Sequence, residues 1–240
     1  MSFGLECKKI KRTGFFPAFI VGGMLAAAVP VVNMAVRSNI YVGLENSPIQ
    51  ILMSANWQMT AMLNVLLIVA GACLMYHTEY IDNGIQKMCT LPMKEENLFF
   101  GKFAVIVAMC IVVLIFEATA IVFSIVHWFG VTSDFESELL KTFGYAFMLM
   151  LPAVLASLLI ASLCKNMWVS LGIGIICVFM ATMLPTNNFI LSVFPFALPF
   201  QMFTGAAVNT VRNMMIASVV ETSVIAIVEV LLLKVRRSME

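Results

Sequence analysis

The sequence predicts an all-α integral membrane protein with six transmembrane helices, and three observations carry that expectation. First, 62% of its 240 residues are apolar and only 11% charged, against roughly 45–50% and 25% in a soluble domain. Second, the apolar residues gather into six runs, each near the ~20 residues that cross a bilayer as a helix. Third, the few basic residues divide unevenly between the two sides that those runs define. A water-soluble globule is excluded. Disorder is excluded too, because 19 Phe and 19 Met make the chain far too apolar to stay unfolded. At this length six spans with short loops fit and twelve do not.

In chain order, Met1 to Thr13 places Phe3, Cys7 and Ile10 on one helical face and Lys8, Lys9, Lys11 and Arg12 around the other. That pattern reads as a short amphipathic helix on the membrane surface. The apolar runs follow at Phe16–Val36, Trp57–Tyr76, Phe103–Val126, Phe143–Leu163, Trp168–Leu184 and Met214–Leu233. Lipid offers no partner to backbone groups, so each run must be a helix. The first continues past Ala26 without a cleavage signal, so the chain is expected to be polytopic from its N-terminus. Small residues recur at four-residue spacing as Gly22/Ala26, Gly23/Ala27 and Ala153/Ser157/Ala161. They permit close helix contact, either within the protomer or between two subunits. Pro30 and Pro152 are expected to kink their helices.

Between the spans, His77 to Lys102 is the one long inner loop, mixing Glu79, Asp82, Lys87, Lys94, Glu95 and Glu96 with Ile81, Ile85, Met88, Leu91, Leu98 and Phe99. Such a loop can offer one or two amphipathic helices to a soluble partner. Arg37–Asn56 and the Asp134, Glu136, Glu138 group are short outer connections. Pro185–Asn213 also falls outside, yet carries Phe189, Phe194, Phe196, Phe200 and Phe203 broken by Pro195 and Pro199. Five Phe do not suit a water-exposed loop, so this segment is expected to lean back into the protein as a re-entrant or interfacial hairpin.

Eleven basic residues (Lys8, Lys9, Lys11, Arg12, Lys87, Lys94, Lys102, Lys165, Lys234, Arg236, Arg237) fall on one side and three (Arg37, Lys141, Arg212) on the other. The bias places both termini in the cytoplasm. Trp57, Trp128 and Tyr145 then stand at outer ends and Tyr76 and Trp168 at inner ends, as an aromatic belt would have them. The six cysteines, at 7, 73, 89, 110, 164 and 177, include no CxxC pair and no nearby His in ligand spacing, so neither a metal site nor a redox motif is expected.

Catalytic patterns are missing. There is no phosphate-binding G-x-x-x-x-G-K-[ST], no H-E-x-x-H and no G-x-S-x-G. Glu95-Glu96 would approach a membrane-protease motif only if an Arg stood where Phe100 is, and His77 and His127 lie at opposite faces. No catalytic residue, bound cofactor or metal is therefore expected. Three acids lie inside spans: Glu117, Glu221 and Glu229. A charge at mid-bilayer costs roughly 2.5–3.5 kcal/mol. Glu117 and Glu221, at similar depth, either mark a polar path for a cationic substrate or protons, or are neutral acids bonded to the adjacent hydroxyls of Thr119, Thr222 and Ser223. Glu229 is close enough to the inner face for Lys234 to reach back.

The run Thr78-Glu79-Tyr80-Ile81-Asp82-Asn83-Gly84-Ile85-Gln86-Lys87-Met88-Cys89-Thr90-Leu91-Pro92-Met93-Lys94, continuing to Gly101-Lys102, resembles the first cytoplasmic loop of ABC-2 type permeases. That family has a Glu just after the second span, then a Gly, a short helix, a Leu-Pro and a Lys opening the third span; the matching positions are Glu79, Gly84, Leu91-Pro92 and Lys102. The resemblance implies a single permease domain over residues 1–240, with a connecting helix at 1–14, a coupling loop at 77–102 and an outer re-entrant segment at 185–213. It implies that Glu79, Gly84, Lys87, Leu91, Pro92 and Lys94 couple to an ATPase subunit present in two copies, which binds the ATP and Mg. A second permease, identical or homologous, completes the machine.

Size and the absence of a fused ATPase or large outer domain are similar to lantibiotic-immunity permeases of the bacterial cell membrane. These expel peptide antibiotics from the producer's own membrane. Such a chain is a transport subunit with no enzymatic activity and no nucleic-acid partner. A cationic peptide would enter from the bilayer's outer leaflet, where Asp134, Glu136 and Glu138, with Glu117 and Glu221, supply negative charge. The alternative is a stand-alone secondary carrier or protease-like immunity factor using the intramembrane glutamates.

Overall fold

The computed structural model describes residues 2–11, 13–81, 95–130, 135–164, 166–184 and 189–239, and among these every regular element is helical. The elements are α1 (Ser2–Ile10), α2 (Phe15–Tyr41), α3 (Pro48–Ile81), α4 (Glu95–Ser124, ending in a π turn Ile125–Phe129), α5 (Phe135–Leu163), α6 (Met167–Met183), the single turn α7 (Phe189–Ser192), a 3₁₀ turn (Leu198–Phe200) and α8 (Val208–Met239). Gly14 joins α1 to α2 at φ 79°, a left-handed conformation that glycine adopts without strain.

Five helices, α2, α3, α4, α5 and α8, are long and apolar enough to cross a membrane. The expected span Trp168–Leu184 is the 17-residue α6, which extends about 26 Å at 1.5 Å per residue, less than the ~30 Å hydrocarbon core. Asn166 caps it, its side chain accepting from the Trp168 amide at 2.9 Å.

The helix α3 is the hub. It packs against α2, α4, α5 and α6, while α5 also holds α8. In their most apolar stretches α5 is 67% and α3 61% buried, whereas α8 is only 17% buried, so α8 presents most of its surface outside the bundle. Close approach relies on missing side chains. Gly23 lies against Val113 and Phe116 of α4, Gly71 against Phe19 and Phe15 of α2, and Gly174 against Val69 of α3. Gly23, Ala26, Ala153, Ser157 and Ala161 are all buried, so these small-residue positions serve contacts inside the protomer.

Several expectations are changed by tertiary packing. The break in helical φ/ψ within α2 is at Arg37 (φ −128°, ψ 24°), while Pro30 sits buried inside continuous helix. Trp57 and Tyr145, placed by the sequence in an outer aromatic belt, are 3% and 4% exposed. Trp57 turns inward because its indole N–H finds an acceptor there, the Pro199 carbonyl at 3.1 Å. That bond anchors the phenylalanine-rich segment before α8 to α3. Phe196, Ala197 and Leu198 are buried at 2%, 3% and 0%, and Phe203 packs on Tyr145 of α5, ring centroids 5.7 Å apart.

Candidate functional site

At the end of the bundle where the N-terminal helix lies, which the sequence places on the inner side, α1 lies across the end of α3 and the start of α4. The inward face of α1 carries Ile10 and, four residues earlier, Glu6; both are 1% exposed. Glu6 is the only acid before Glu45. Its carboxylate accepts from Lys9 Nζ at 3.0 Å, an i,i+3 pair on the helix surface. Lys9 Nζ also reaches Glu79 Oε1 at 3.3 Å. On the far side of Glu79, Lys102 Nζ approaches the same oxygen at 2.7 Å, with Glu6 Oε2 at 3.8 Å. Lys102 is 2% exposed and stands over the Tyr76 ring, 5.1 Å from its centroid, within cation–π range.

Glu6, Glu79, Lys9 and Lys102 therefore form a neutral cluster of two carboxylates and two ammonium groups, buried except for part of Lys9. Isolated charges in that position would each cost several kcal/mol of desolvation. Glu79 lies in the last turn of α3, where the helix dipole disfavours an acid; the two lysines compensate it. The next residue, Tyr80, donates to the Ser162 carbonyl at the end of α5, 2.8 Å away. Both stems of the segment 82–94 are thus fastened, one to α1 and α5, the other to α1. Gly84, Lys87, Leu91, Pro92 and Lys94 lie outside the described residues, as do Asp82 and Cys89.

Glu6 carried no sequence signal as a partner of Glu79, being 73 positions away, although an acid alone among Lys8, Lys9, Lys11 and Arg12 is a clue to a buried role. Lys102 matched the resemblance as the residue opening the third span; its pairing with Glu79 is visible only in three dimensions.

The intramembrane acids are not brought together into one site. Glu117 on α4 is 2% exposed, deep inside the bundle, whereas Glu221 on α8 is half-buried. Neither uses the neighbouring hydroxyls, each of which donates to its own helix: Thr119 to Phe116 O, Thr222 to Ser218 O and Ser223 to Val219 O. Glu229 is buried near the inner end of α8. At the outer end Glu136 is exposed, Glu138 accepts from Ser47 Oγ at 3.1 Å, and Asp134 lies outside the described residues. Among the described residues no group of His, Cys, Asp and Glu has the arrangement of a metal site.

Residues 3–181 match the family model described as ABC-2 family transporter protein. Comparison with curated proteins and with solved structures gives no match.

Proposed function

The chain belongs to the ABC-2 transporter family, whose members are membrane permease subunits of ABC transporters working with an ATPase partner, and from that premise we propose that it drives export of a cationic peptide antibiotic of the lantibiotic type. In this reading α6 also spans the membrane, as the fifth of six spans, and both termini face the cytoplasm, where eleven of the fourteen basic residues fall. Two copies of the ATPase dock on the loop 77–102, through Lys87, Leu91, Pro92 and Lys94, and two permeases, identical or homologous, form the pore.

The observation that carries the reading is the cluster of Glu6, Lys9, Glu79 and Lys102. A loop that receives force must be stiffly mounted. Here the inner ends of α3 and α4 share Glu79 and Lys102, and α1 clamps both, so a push on the loop moves the two helices together. Because α2 packs along α4 and α5 along α3, the displacement reaches the rest of the bundle. Closure of the ATPases would then open the outer side. The exposed Glu136, with Asp134 and Glu138, gives the outer surface the sign that attracts a cationic peptide from the outer leaflet, and Glu221 continues that sign toward mid-membrane.

The test is co-purification with the ATPase encoded beside the chain. Reversing charge at Lys87 and Lys94 is expected to abolish the complex, and the same change at the outer Lys141 to leave it intact. ATP-dependent loss of cell-bound peptide is the transport readout. Full protection in a strain lacking every such ATPase would overturn the proposal.

A further inference from the structure

In the middle of the bundle, Glu117 of α4 stands beside Asn64 of α3. They are 2% and 3% exposed. None of their four polar side-chain atoms, Glu117 Oε1 and Oε2 and Asn64 Oδ1 and Nδ2, makes a hydrogen bond of good geometry, although the Asn64 amide lies near enough to act on the Glu117 carboxyl. Buried polar atoms are nearly always bonded, and four together in two adjacent side chains mark a site waiting for one more component. Chemistry limits what that component is. The void on the Asn64 side, lined by Phe19, Asn64, Leu67, Cys110, Val113 and Met150, measures about 10 Å³, room for one water at most. No substrate enters it. A hard metal cation wants six or more oxygen ligands, and the two side chains offer three.

A proton meets the deficit. An ionised carboxylate has acceptors only and satisfies the Asn64 N–H while its second oxygen faces Asn64 Oδ1, acceptor against acceptor. A carboxylic acid has one donor and one acceptor, the complement of an amide. We propose that Glu117 is a proton-binding site closed by Asn64, in which the acid O–H donates to Asn64 Oδ1 and its carbonyl oxygen accepts from Asn64 Nδ2. The proton comes from water: hydronium protonates the carboxylate and leaves as water, and both new bonds cross between α3 and α4. Losing the proton leaves an anion with one matched contact in an apolar core, which loosens the α3–α4 packing or draws water in.

Among the described residues, none placed against Glu117 carries a cation that would neutralise that anion. On α4 and its terminal π turn the nearest titratable groups are Cys110, two turns away and itself an acid, His127, ten residues and roughly 15 Å away, exposed and stacked on Phe123, and Lys102, fifteen residues and roughly 22 Å away and already engaged by Glu79 at 2.7 Å. The void next to Asn64 is lined from α2 by Phe19 and from α3 by Leu67, with Met150 from α5, and Gly23 of α2 packs on Val113 and Phe116 of α4, all apolar. The helix α8 touches α4 and carries Glu221, a second acid.

Difference infrared spectroscopy on the full chain in lipid nanodiscs tests the site without any ATPase, so its outcome is independent of the transport proposal. At neutral pH the protein is expected to show the carbonyl band of a protonated acid. The band should vanish in Glu117→Gln, shift in Asn64→Leu and persist in Glu221→Gln. Thermal stability should fall as pH rises through the band's disappearance in the wild type, and that component should be lost in Glu117→Gln, whose amide pairs with Asn64 at every pH. Should Glu117→Gln not fold, the Asn64→Leu shift decides. Absence of the acid band at neutral pH, or a band indifferent to both Glu117→Gln and Asn64→Leu, overturns the proposal.

Discussion

Replacing Lys102 by Met removes the more buried of the two cations that hold Glu6 and Glu79. Lys102 is 2% exposed and 2.7 Å from Glu79; what remains is Lys9, 33% exposed, at 3.0 Å from Glu6 and 3.3 Å from Glu79. Removing one partner of a buried pair costs about 3–5 kcal/mol, because the other charge stays buried. Lys9 keeps a share of the compensation, so the lower end, about 3 kcal/mol, is expected. At 2–4 °C per kcal/mol for a chain of this size that is roughly 6–12 °C in Tm. Lys9→Met should cost no more than about 1 kcal/mol, since a partly exposed pair is screened and Lys102 still serves both carboxylates. Glu79→Gln combined with Lys102→Met removes both charges and leaves Glu6 with Lys9, so the double variant should be more stable than Lys102→Met alone, by about 1 kcal/mol or more. Thermal unfolding of the detergent-solubilised protein, followed by loss of the monodisperse peak, reads all four proteins. Equal losses for Lys9→Met and Lys102→Met, or a double variant no better than Lys102→Met, would refute the assignment of the cluster as one buried, mutually compensating unit.

Trp57→Phe keeps the ring and deletes the bond to the Pro199 carbonyl, 3.1 Å long; about 1 kcal/mol is expected, with faster protease cleavage of the segment before α8. Gly23→Val places a side chain whose Cβ would lie 2.9 Å from Val113 Cγ2 and should destabilise by about 1–3 kcal/mol, seen as lower Tm and yield, whereas Gly144→Ala, with nothing within 4 Å, should raise Tm slightly if it moves it at all. Tyr80→Phe loses the 2.8 Å bond to the Ser162 carbonyl and should weaken coupling of ATP hydrolysis to transport more than it lowers Tm.

Apolar runs and the charge bias made five long helices legible, because lipid forces any such run into a helix and leaves little for context to change. The fifth run is equally apolar, but its helix stops at 17 residues, bounded by Asn166 as cap and, in the sequence, by Pro185 beyond. Boundaries shifted elsewhere: α3 begins at Pro48 and α5 at Phe135, before their apolar runs; the added turns of α3 are buried through Ile49 and Leu52, whereas the start of α5 continues as exposed helix through Glu136, Ser137 and Lys141. The aromatic-belt expectation failed at Trp57 and Tyr145 because composition records an amphipathic ring without recording whether the nearest acceptor is a lipid headgroup or a protein carbonyl. Glu79 was legible through the resemblance, and Glu117 through its depth. Their partners, Glu6 and Asn64, were not, since nothing in local periodicity links positions 53 to 73 residues apart.

Those two clusters place opposite electrostatic solutions on the same pair of helices. At the inner end of α3 and α4 two acids are matched by two lysines, which fastens the helices at every pH at which all four are charged. Two-thirds of the way along α4, Glu117 faces Asn64 with no Lys or Arg among the described residues placed against it, so in the proposed pairing the junction there depends on a proton. Force entering at a permanently fastened end therefore travels along α3 and α4 to a junction whose strength is adjustable. If α3 and α4 separate during transport, they must do so on the outer side of the Glu79–Lys102 pair, and crosslinks across the inner ends should be tolerated where crosslinks beside Asn64 and Glu117 stop turnover. Arrest by an inner crosslink alone would place the moving joint at the cluster of Glu6, Lys9, Glu79 and Lys102 instead.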